Sequence, residues 1–151
     1  MSNTTYDAAS RQLHMTRLLN APIELVWEVW TNPEHIAKWW GPDGFTTTMH
    51  AMDLKPGGEW RLTMHGPDGK NYPNRSEFVE IVPLQKIVYR HYNPDFFTTV
   101  IFEPQGKQTK LDWTMQFETT DMLETVVKVF KADKGLEQNG EKLEQYLAKM
   151  Q

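Results

Sequence analysis

The side chains that could do chemistry in this sequence are few, and their spacing does not form a known catalytic or metal-binding motif. The histidines and serines are His14, His35, His50, His65, His91, Ser2, Ser10 and Ser76. No histidine belongs to an HxH or HExxH pair, and no serine sits in a GxSxG turn. Cysteine is absent, and so are the GxGxxG and Walker loops that hold phosphates. We therefore expect no metal and no cofactor.

One polar pair is a candidate for acid–base chemistry. In the strand-like stretch KIVYRHY, His91 shares a face with Tyr89. In SEFVEIV, Glu77 shares a face with Val79 and Ile81. If the two stretches are neighbouring antiparallel strands, Glu77 lies near His91 and both point at the interior. A carboxylate beside a histidine raises the pKa of the histidine and can orient it as an acid or base.

Two alternatives to this catalytic pair stay open. The glutamate and histidine can form a cross-strand ion pair at the edge of an interior space, with no chemistry attached. If the strand has the opposite phase, for which a β-bulge near Pro73 would suffice, Glu80 and Arg90 become the inward pair instead. The mixed polarity of that second face is more typical of a solvent-facing surface.

The elements that must position these residues follow from periodicity. Residues 11–19 predict a strand, and two short helices follow, the second with Asn32 as N-cap and Pro33 in its first turn. About six strand-like stretches fill residues 45–117, joined by turns such as GPDG at 66–69. The tail, residues 122–150, has helical periodicity with a break near Gly135. This order predicts an α+β fold in which a curved antiparallel sheet is covered by the last helix.

Composition bounds the remaining possibilities. With 151 residues, the chain suits a single domain at 11–151, preceded by a polar and flexible segment at 1–10. A net charge of −4 provides no basic field for nucleic acid, and no apolar run is long enough to cross a membrane. The polar N-terminus has no apolar signal core, which favours a soluble cytoplasmic protein. A homodimer is possible.

Three blocks of the sequence resemble the START-like SRPBCC superfamily, in the branch named after the activator of heat-shock protein 90 ATPase. These blocks are TRLLNAPIELVWEVWTNPEHIAKWWGPDGF, DLKPGGEWRLTMHGPDG and FVEIVPLQKIVY, and the tail KGLEQNGEKLEQYL resembles the last helix of the family. The resemblance runs from about Leu13 to Leu147 and implies a helix-grip fold, in which the sheet wraps around a long C-terminal helix and leaves an internal cavity. Members bind lipids, polyketides, hormones or other apolar molecules, and some are cyclases or hydrolases.

The resemblance and the aromatic content together suggest a function. The chain has six tryptophans and eight methionines, residue types that suit an adaptable apolar pocket. We expect a small apolar ligand in the cavity, with an enzyme acting on an apolar substrate as the alternative. Stimulation of a chaperone ATPase is a further alternative, but a chaperone partner is not favoured because the eukaryotic activators carry an additional domain that we do not expect here.

The residues expected to contact this ligand face inward or lie beside the cavity. They are Trp40, Trp60, Leu62, Met64, Tyr89, His91, Phe102, Trp113, Met115 and Phe130. In the doublet Trp39-Trp40, helical spacing from Ile36 predicts that Trp40 packs inward beside the cavity mouth. The same spacing predicts that Trp39 lies flatter, either against the neighbouring helix or partly exposed.

Overall fold

The computed structural model of the protein describes residues 2–92 and 94–151, which form eight strands and four helices. In chain order these elements are β1 Ser2–Asp7, β2 Gln12–Leu19, α1 Ile23–Thr31, α2 Pro33–Trp39, β3 Thr46–Met52, β4 Glu59–His65, β5 Asn71–Val82, β6 Lys86–Tyr92, β7 Phe96–Gln105, β8 Gln108–Phe117, α3 Thr120–Lys128 and α4 Ala132–Lys149. No helix in this described part of the chain is both long and apolar enough to cross a bilayer.

All eight strands join one antiparallel sheet in the order β1-β2-β8-β7-β6-β5-β4-β3. The sheet is curved and does not close, because β1 and β3 remain at its two edges. Helix α4 packs on β1 and β2, and α1 and α2 complete the cover of the concave face. The predicted α+β fold, with two short helices after a strand and a long helix on an antiparallel sheet, is confirmed.

Part of the segment at residues 1–10, which was predicted to be polar and flexible, forms a strand in the structure. Residues Ser2–Asp7 are an edge strand, paired with β2 from Ser2 opposite Arg17 to Asp7 opposite Gln12. The described side chains of this strand are mostly exposed and polar, so the strand has no apolar face. Without alternating apolar residues, a strand gives no periodic signal in the sequence.

The start of α2 follows the prediction from its sequence. The side chain of Asn32 accepts a hydrogen bond of 3.0 Å from the backbone N–H of Glu34, and Pro33 occupies the first helical position. This cap satisfies one of the unpaired N–H groups at the helix start. The break in the C-terminal helical region lies earlier than predicted, because α3 ends at Lys128 and α4 begins at Ala132, ahead of Gly135.

Helix α4 sits very close to strand β2. Arg17 of β2 is only 3% exposed, and its guanidinium lies 3.4 Å from a carboxylate oxygen of Glu137 and 3.3 Å from one of Glu144. Directly above it, α4 carries Gly140, a residue that is unfavourable inside a helix. A buried charge is tolerated only when paired, so these two carboxylates are what allow Arg17 to face the interior.

Candidate functional site

A pocket of about 510 Å³ lies between the concave face of the sheet and the N-terminal part of α4. Its floor consists of inward-facing side chains of β4, β6 and β8: Trp60, Leu62, Met64, Tyr89, His91, Trp113 and Met115. Its rim consists of the turn after α2 and the start of α4, including Pro42, Asp43, Phe130, Lys131 and Lys134. Phe130 is 73% exposed, so the pocket opens to solvent on this side.

All of the residues predicted to contact a ligand border this pocket except Phe102. Phe102 does face inward and is buried, but it lies further along β7, below α1. There its ring contacts Trp27 at 5.2 Å and Trp30 at 5.8 Å between centroids. In β7, strand alternation predicts the face on which Phe102 lies, but it does not predict how far Phe102 is from the pocket.

The floor of the pocket is a set of aromatic rings that hold one another in place. Trp40 stacks on Trp113 with centroids 5.5 Å apart and an interplanar angle of 27°. Trp60 stacks on Phe78 at 5.5 Å and meets Tyr89 edge-on at 4.9 Å. Offset-stacked and edge-on aromatic pairs stabilise beyond the area that they bury, so these contacts fix the rings of the floor in one arrangement.

The tryptophan doublet divides into a core residue and a pocket residue. Trp40 borders the pocket, as expected. Of the two positions predicted for Trp39, packing against the neighbouring helix is the one observed, because its side chain is fully buried and its Nε1 donates a 3.0 Å hydrogen bond to the carbonyl of Val29 in α1. The buried stripe of α2 consists of Ile36 and Trp39, whereas Trp40 follows the helix with extended backbone angles, so helical spacing no longer describes its direction.

The proposed acid–base pair does not form. Strand β5 places Ser76 opposite His91, whereas Glu77 is opposite Arg90 and exposed on the other face of the sheet. The prediction of a Glu77–His91 pair is therefore wrong. The cause is a bulge between Phe78 and Glu80, which reverses the phase of the strand. Phe78 and Ile81 therefore both pack on the core, although strict alternation would place them on opposite faces.

The alternative pair of Glu80 and Arg90 is absent as well. Glu80 forms an ion pair of 3.0 Å with Lys86, and Arg90 forms one of 3.2 Å with Asp95. None of these four residues borders the pocket. Glu80 and Arg90 thus form ion pairs with other partners outside the pocket, which agrees with the solvent-facing character of this mixed sequence.

His91 reaches the pocket with both ring nitrogens already occupied. Its Nδ1 lies 2.9 Å from the carbonyl oxygen of Pro94, which can only accept a hydrogen bond, so Nδ1 carries a proton. Its Nε2 lies 2.7 Å from the side-chain amide of Asn74, and its ring stacks on Phe96 at 4.6 Å. These contacts orient the ring as a wall of the pocket and direct its two nitrogens at Pro94 and Asn74 rather than at the neighbouring Ser76.

Burial lowers the pKa of His91 below its ordinary value of 6.5, and the Pro94 carbonyl and the charge of Asp95 oppose this effect only in part. Between the lowered pKa and 6.5, the unfolded chain binds more protons at this position than the folded chain. The stabilising contribution of the neutral ring is therefore complete above pH 6.5 and is lost as the pH falls toward the lowered pKa of the folded state.

We expect this linkage to be measurable with the variant His91→Gln. The free energy of unfolding of the wild-type protein falls when the pH is reduced from about 7.5 to about 5.5. The variant loses less stability over the same interval, because glutamine does not take up a proton. Urea unfolding followed by circular dichroism at the two pH values measures both differences. Equal losses in the two proteins would contradict the assigned environment of His91.

Three polar residues of the pocket were not predicted from the sequence. Asn74 and Ser76 lie on the face of β5 that was predicted to point outward. Asn139 of α4 is buried, where it donates to the carbonyl of Trp39 at 2.9 Å and accepts from the N–H of Gly41 at 3.2 Å. The side chain of Asn139 thereby ties α4 to the turn at the rim.

Tyr89 places a hydroxyl group on the apolar floor. It is 4% exposed, and burial raises the pKa of its hydroxyl far above the ordinary value of 10.0. Thr98 and Trp113 lie near enough to lower this pKa slightly, although neither the Thr98 hydroxyl nor the Trp113 Nε1 reaches hydrogen-bond geometry. Tyr89 is therefore a neutral hydroxyl group in the pocket and not a base.

Among the described residues, no three histidine, aspartate or glutamate side chains gather closely enough to hold a metal ion. The charged residues that border the pocket, such as Asp43 and Lys134, lie at its rim. What the floor offers is an apolar surface with a few neutral hydrogen-bonding groups.

An open antiparallel sheet, a long final helix and a pocket between them define the helix-grip class of START-like folds. Within this class, the chain belongs to the family described as activator of Hsp90 ATPase homolog 1-like protein, whose sequence model matches residues 20–148. The resemblance stated from the sequence blocks is thereby confirmed. A search of curated protein sequences found no match.

Solved structures with the same fold come from several bacteria. A protein from Arthrobacter aurescens is 19% identical, with 97% of this chain and 91% of that chain covered and a TM-score of 0.91. The protein Ms6760 from Mycobacterium smegmatis is 20% identical, with 99% and 98% covered and a TM-score of 0.89. An AHSA1 protein from Silicibacter pomeroyi is 18% identical, with 93% and 99% covered and a TM-score of 0.76. At these identities the likeness establishes the fold alone.

Proposed function

We propose that the protein binds a small apolar molecule in the pocket between the sheet and α4. The observation that carries this proposal is the pocket itself, whose volume of about 510 Å³ has a floor of aromatic rings together with Leu62, Met64 and Met115. Ligand sites typically have volumes of roughly 300–1,000 Å³, apolar walls and a few polar groups that fix orientation. Tyr89, Ser76 and Asn74 supply such groups.

Binding is better supported than catalysis by the arrangement of the polar residues. A nucleophile needs a base within hydrogen-bond reach, and a base needs a free nitrogen or oxygen. In the described residues, both nitrogens of His91 contact other groups, and Glu77 lies on the opposite face of the sheet. The floor can therefore hold and orient a molecule without a residue prepared to react with it.

The proposal predicts that filling the pocket weakens ligand binding. Met115 borders the pocket, and in the variant Met115→Trp the larger side chain occupies space that a ligand would need. We expect the affinity for the neutral fluorescent probe N-phenyl-1-naphthylamine to fall about tenfold or more. The measurement is a titration of probe fluorescence, with excitation of the probe itself so that the added tryptophan does not contribute.

Met150→Trp is the matched control for this experiment. Met150 is 38% exposed at the end of α4 and does not border the pocket, so the same substitution there adds an equal side chain at the surface. We expect its probe affinity to stay within about twofold of that of the wild type. Unchanged probe affinity in Met115→Trp, with the fold intact by circular dichroism, would overturn the proposal.

A further inference from the structure

The rim of the pocket carries two lysines that have no carboxylate partner, and this feature bears on the class of ligand. Lys131 and Lys134 both border the pocket and are exposed. In the described part of the chain, the ion pairs of other lysines are those of Lys55, Lys86 and Lys128, and neither rim lysine takes part in one. Two exposed lysines without an ion-pair partner thus border an apolar space.

The one acidic residue on the same rim has a cation of its own. Asp43 interacts electrostatically with Lys142, whose ammonium group donates to the carbonyl oxygens of Pro42 at 3.4 Å and Phe45 at 3.1 Å. These two hydrogen bonds hold Lys142 beneath the turn that contains Asp43. With that pair balanced, Lys131 and Lys134 leave the rim with net positive charge.

Other acidic residues of α4 lie near this rim without bordering the pocket. Asp133, Glu137 and Glu141 surround a separate surface depression that also includes Lys134. Lys134 therefore stands between an acidic surface and the apolar pocket, whereas Lys131 borders the pocket alone. Of the two lysines, Lys131 is the one that a bound group in the pocket would meet without competition.

The start of α4 adds to the positive potential at this rim. Helices α2 and α3 begin with side-chain caps from Asn32 and Thr119, whereas the N-cap of α4 is Lys131, whose side chain makes no capping hydrogen bond. The first N–H groups of an α-helix have no partner within the helix and carry partial positive charge. This effect is secondary to that of the two lysines.

We propose that the ligand is an amphipathic anion, whose apolar body lies on the aromatic floor and whose anionic head group lies at the rim against Lys131 and Lys134. This inference rests on the proposed function and adds the class of ligand. The orientation follows from solvation, because a charged head group buried on the floor would lose its water without meeting a cation there. At the rim the head group keeps part of its water and meets both ammonium groups.

Three probes with the same apolar tail test the head group. Decanoate, decan-1-ol and decylamine are each titrated against the protein loaded with N-phenyl-1-naphthylamine, and the displacement of the probe gives their affinities. The variants are the double substitution Lys131→Gln with Lys134→Gln and, as a control of equal change in net charge, Lys107→Gln with Lys149→Gln. Neither control lysine borders the pocket.

We expect the ratio of decanoate affinity to decan-1-ol affinity to fall about fivefold in the rim variant and to change less than about twofold in the control. Decylamine binds more weakly than decanoate to the wild type, and the rim variant reduces this difference. Added salt lowers the affinity for decanoate and leaves that for decan-1-ol nearly unchanged.

The possible failures of the two proposals can be distinguished. If the naphthylamine probe binds but the rim variant keeps the wild-type ratio of decanoate to decan-1-ol, the anionic class of ligand is overturned and the apolar pocket still stands. If neither the probe nor any of the three tailed molecules binds to the wild type, the proposed function itself is wrong.

Discussion

Replacement of Gly140 with alanine is expected to destabilise the protein by about 1–3 kcal/mol, although alanine is the better helix former. A Cβ atom at this position would lie 2.9 Å from the Nε atom of Arg17 and 2.9 Å from both the Cε and Sδ atoms of Met15. Such distances are shorter than van der Waals contact, so β2 and α4 must move apart. Met15 is fully buried, and Arg17 is held by two carboxylates, so neither has free space to enter.

Gly135→Ala is the matched control, since it lies in the same helix without the close neighbour. A Cβ atom there would have only the Cβ of Pro42 within reach, at 3.7 Å, which is an ordinary contact. The helix propensity of alanine then decides the outcome, and we expect a gain of up to about 1 kcal/mol. Urea unfolding of both variants, followed by circular dichroism, measures the two changes in the free energy of unfolding, which we expect to have opposite signs.

The comparison of these two glycines also tests how the pocket is built. The close approach at Gly140 sets the height of α4 above β2, and the preceding turns of the same helix contribute Leu136 and Asn139 to the pocket. A Gly140→Ala variant as stable as the wild type would mean that α4 lies further from the sheet than described. The volume between them would then be larger.

Sequence periodicity predicts the site well where a strand is regular. In β8 the residues Leu111, Trp113 and Phe117 are buried, as strict alternation predicts, and Met115 on the same face borders the pocket. The strand pairs along its whole length with β7, and from Thr109 to Gln116 with β2, without a shift in register. The face of each residue then follows from the two-residue period alone.

Periodicity fails in β5 because a bulge interrupts the period. Val79 is apolar but 45% exposed, whereas Ser76 is polar and buried beside the pocket. The stretch from Ser76 to Val82 contains no glycine that would mark the irregularity. A bulge of this kind depends on pairing with neighbouring strands, so a single strand sequence does not reveal it. The predicted acid–base pair depended on this phase and failed with it.

The rim of the pocket could not be predicted for a different reason. Its residues come from the turn after α2 and from the start of α4, which are far apart in the sequence. Their meeting depends on the interhelical hydrogen bonds of Asn139 and on where α4 begins. The sequence placed the helix break near Gly135, which would remove Lys131 from the start of the final helix.

Replacement of each of the adjacent tryptophans by phenylalanine is expected to have a different effect, on stability at Trp39 and on ligand binding at Trp40. We expect Trp39→Phe to lower the free energy of unfolding by about 2–3 kcal/mol. Trp39 is fully buried, and its Nε1 satisfies the carbonyl of Val29 near the end of α1, where carbonyl groups lack partners within the helix. Phenylalanine is smaller and has no N–H, so it leaves a cavity and an unpaired buried oxygen.

Trp40→Phe is expected to change stability by about 1 kcal/mol or less and to weaken binding of N-phenyl-1-naphthylamine several-fold. Its ring is only partly buried and faces the pocket, where it stacks on Trp113 and supplies part of the surface that a ligand would cover. Urea unfolding measures the free energy of unfolding of both variants, and probe titration measures their affinities for the probe. If Trp39→Phe weakened the probe affinity more than Trp40→Phe at equal fractions of folded protein, the division of the doublet into core and pocket residues would be wrong. The predicted pattern instead ties each ring to one role, because only one of the two borders the space where a ligand would lie.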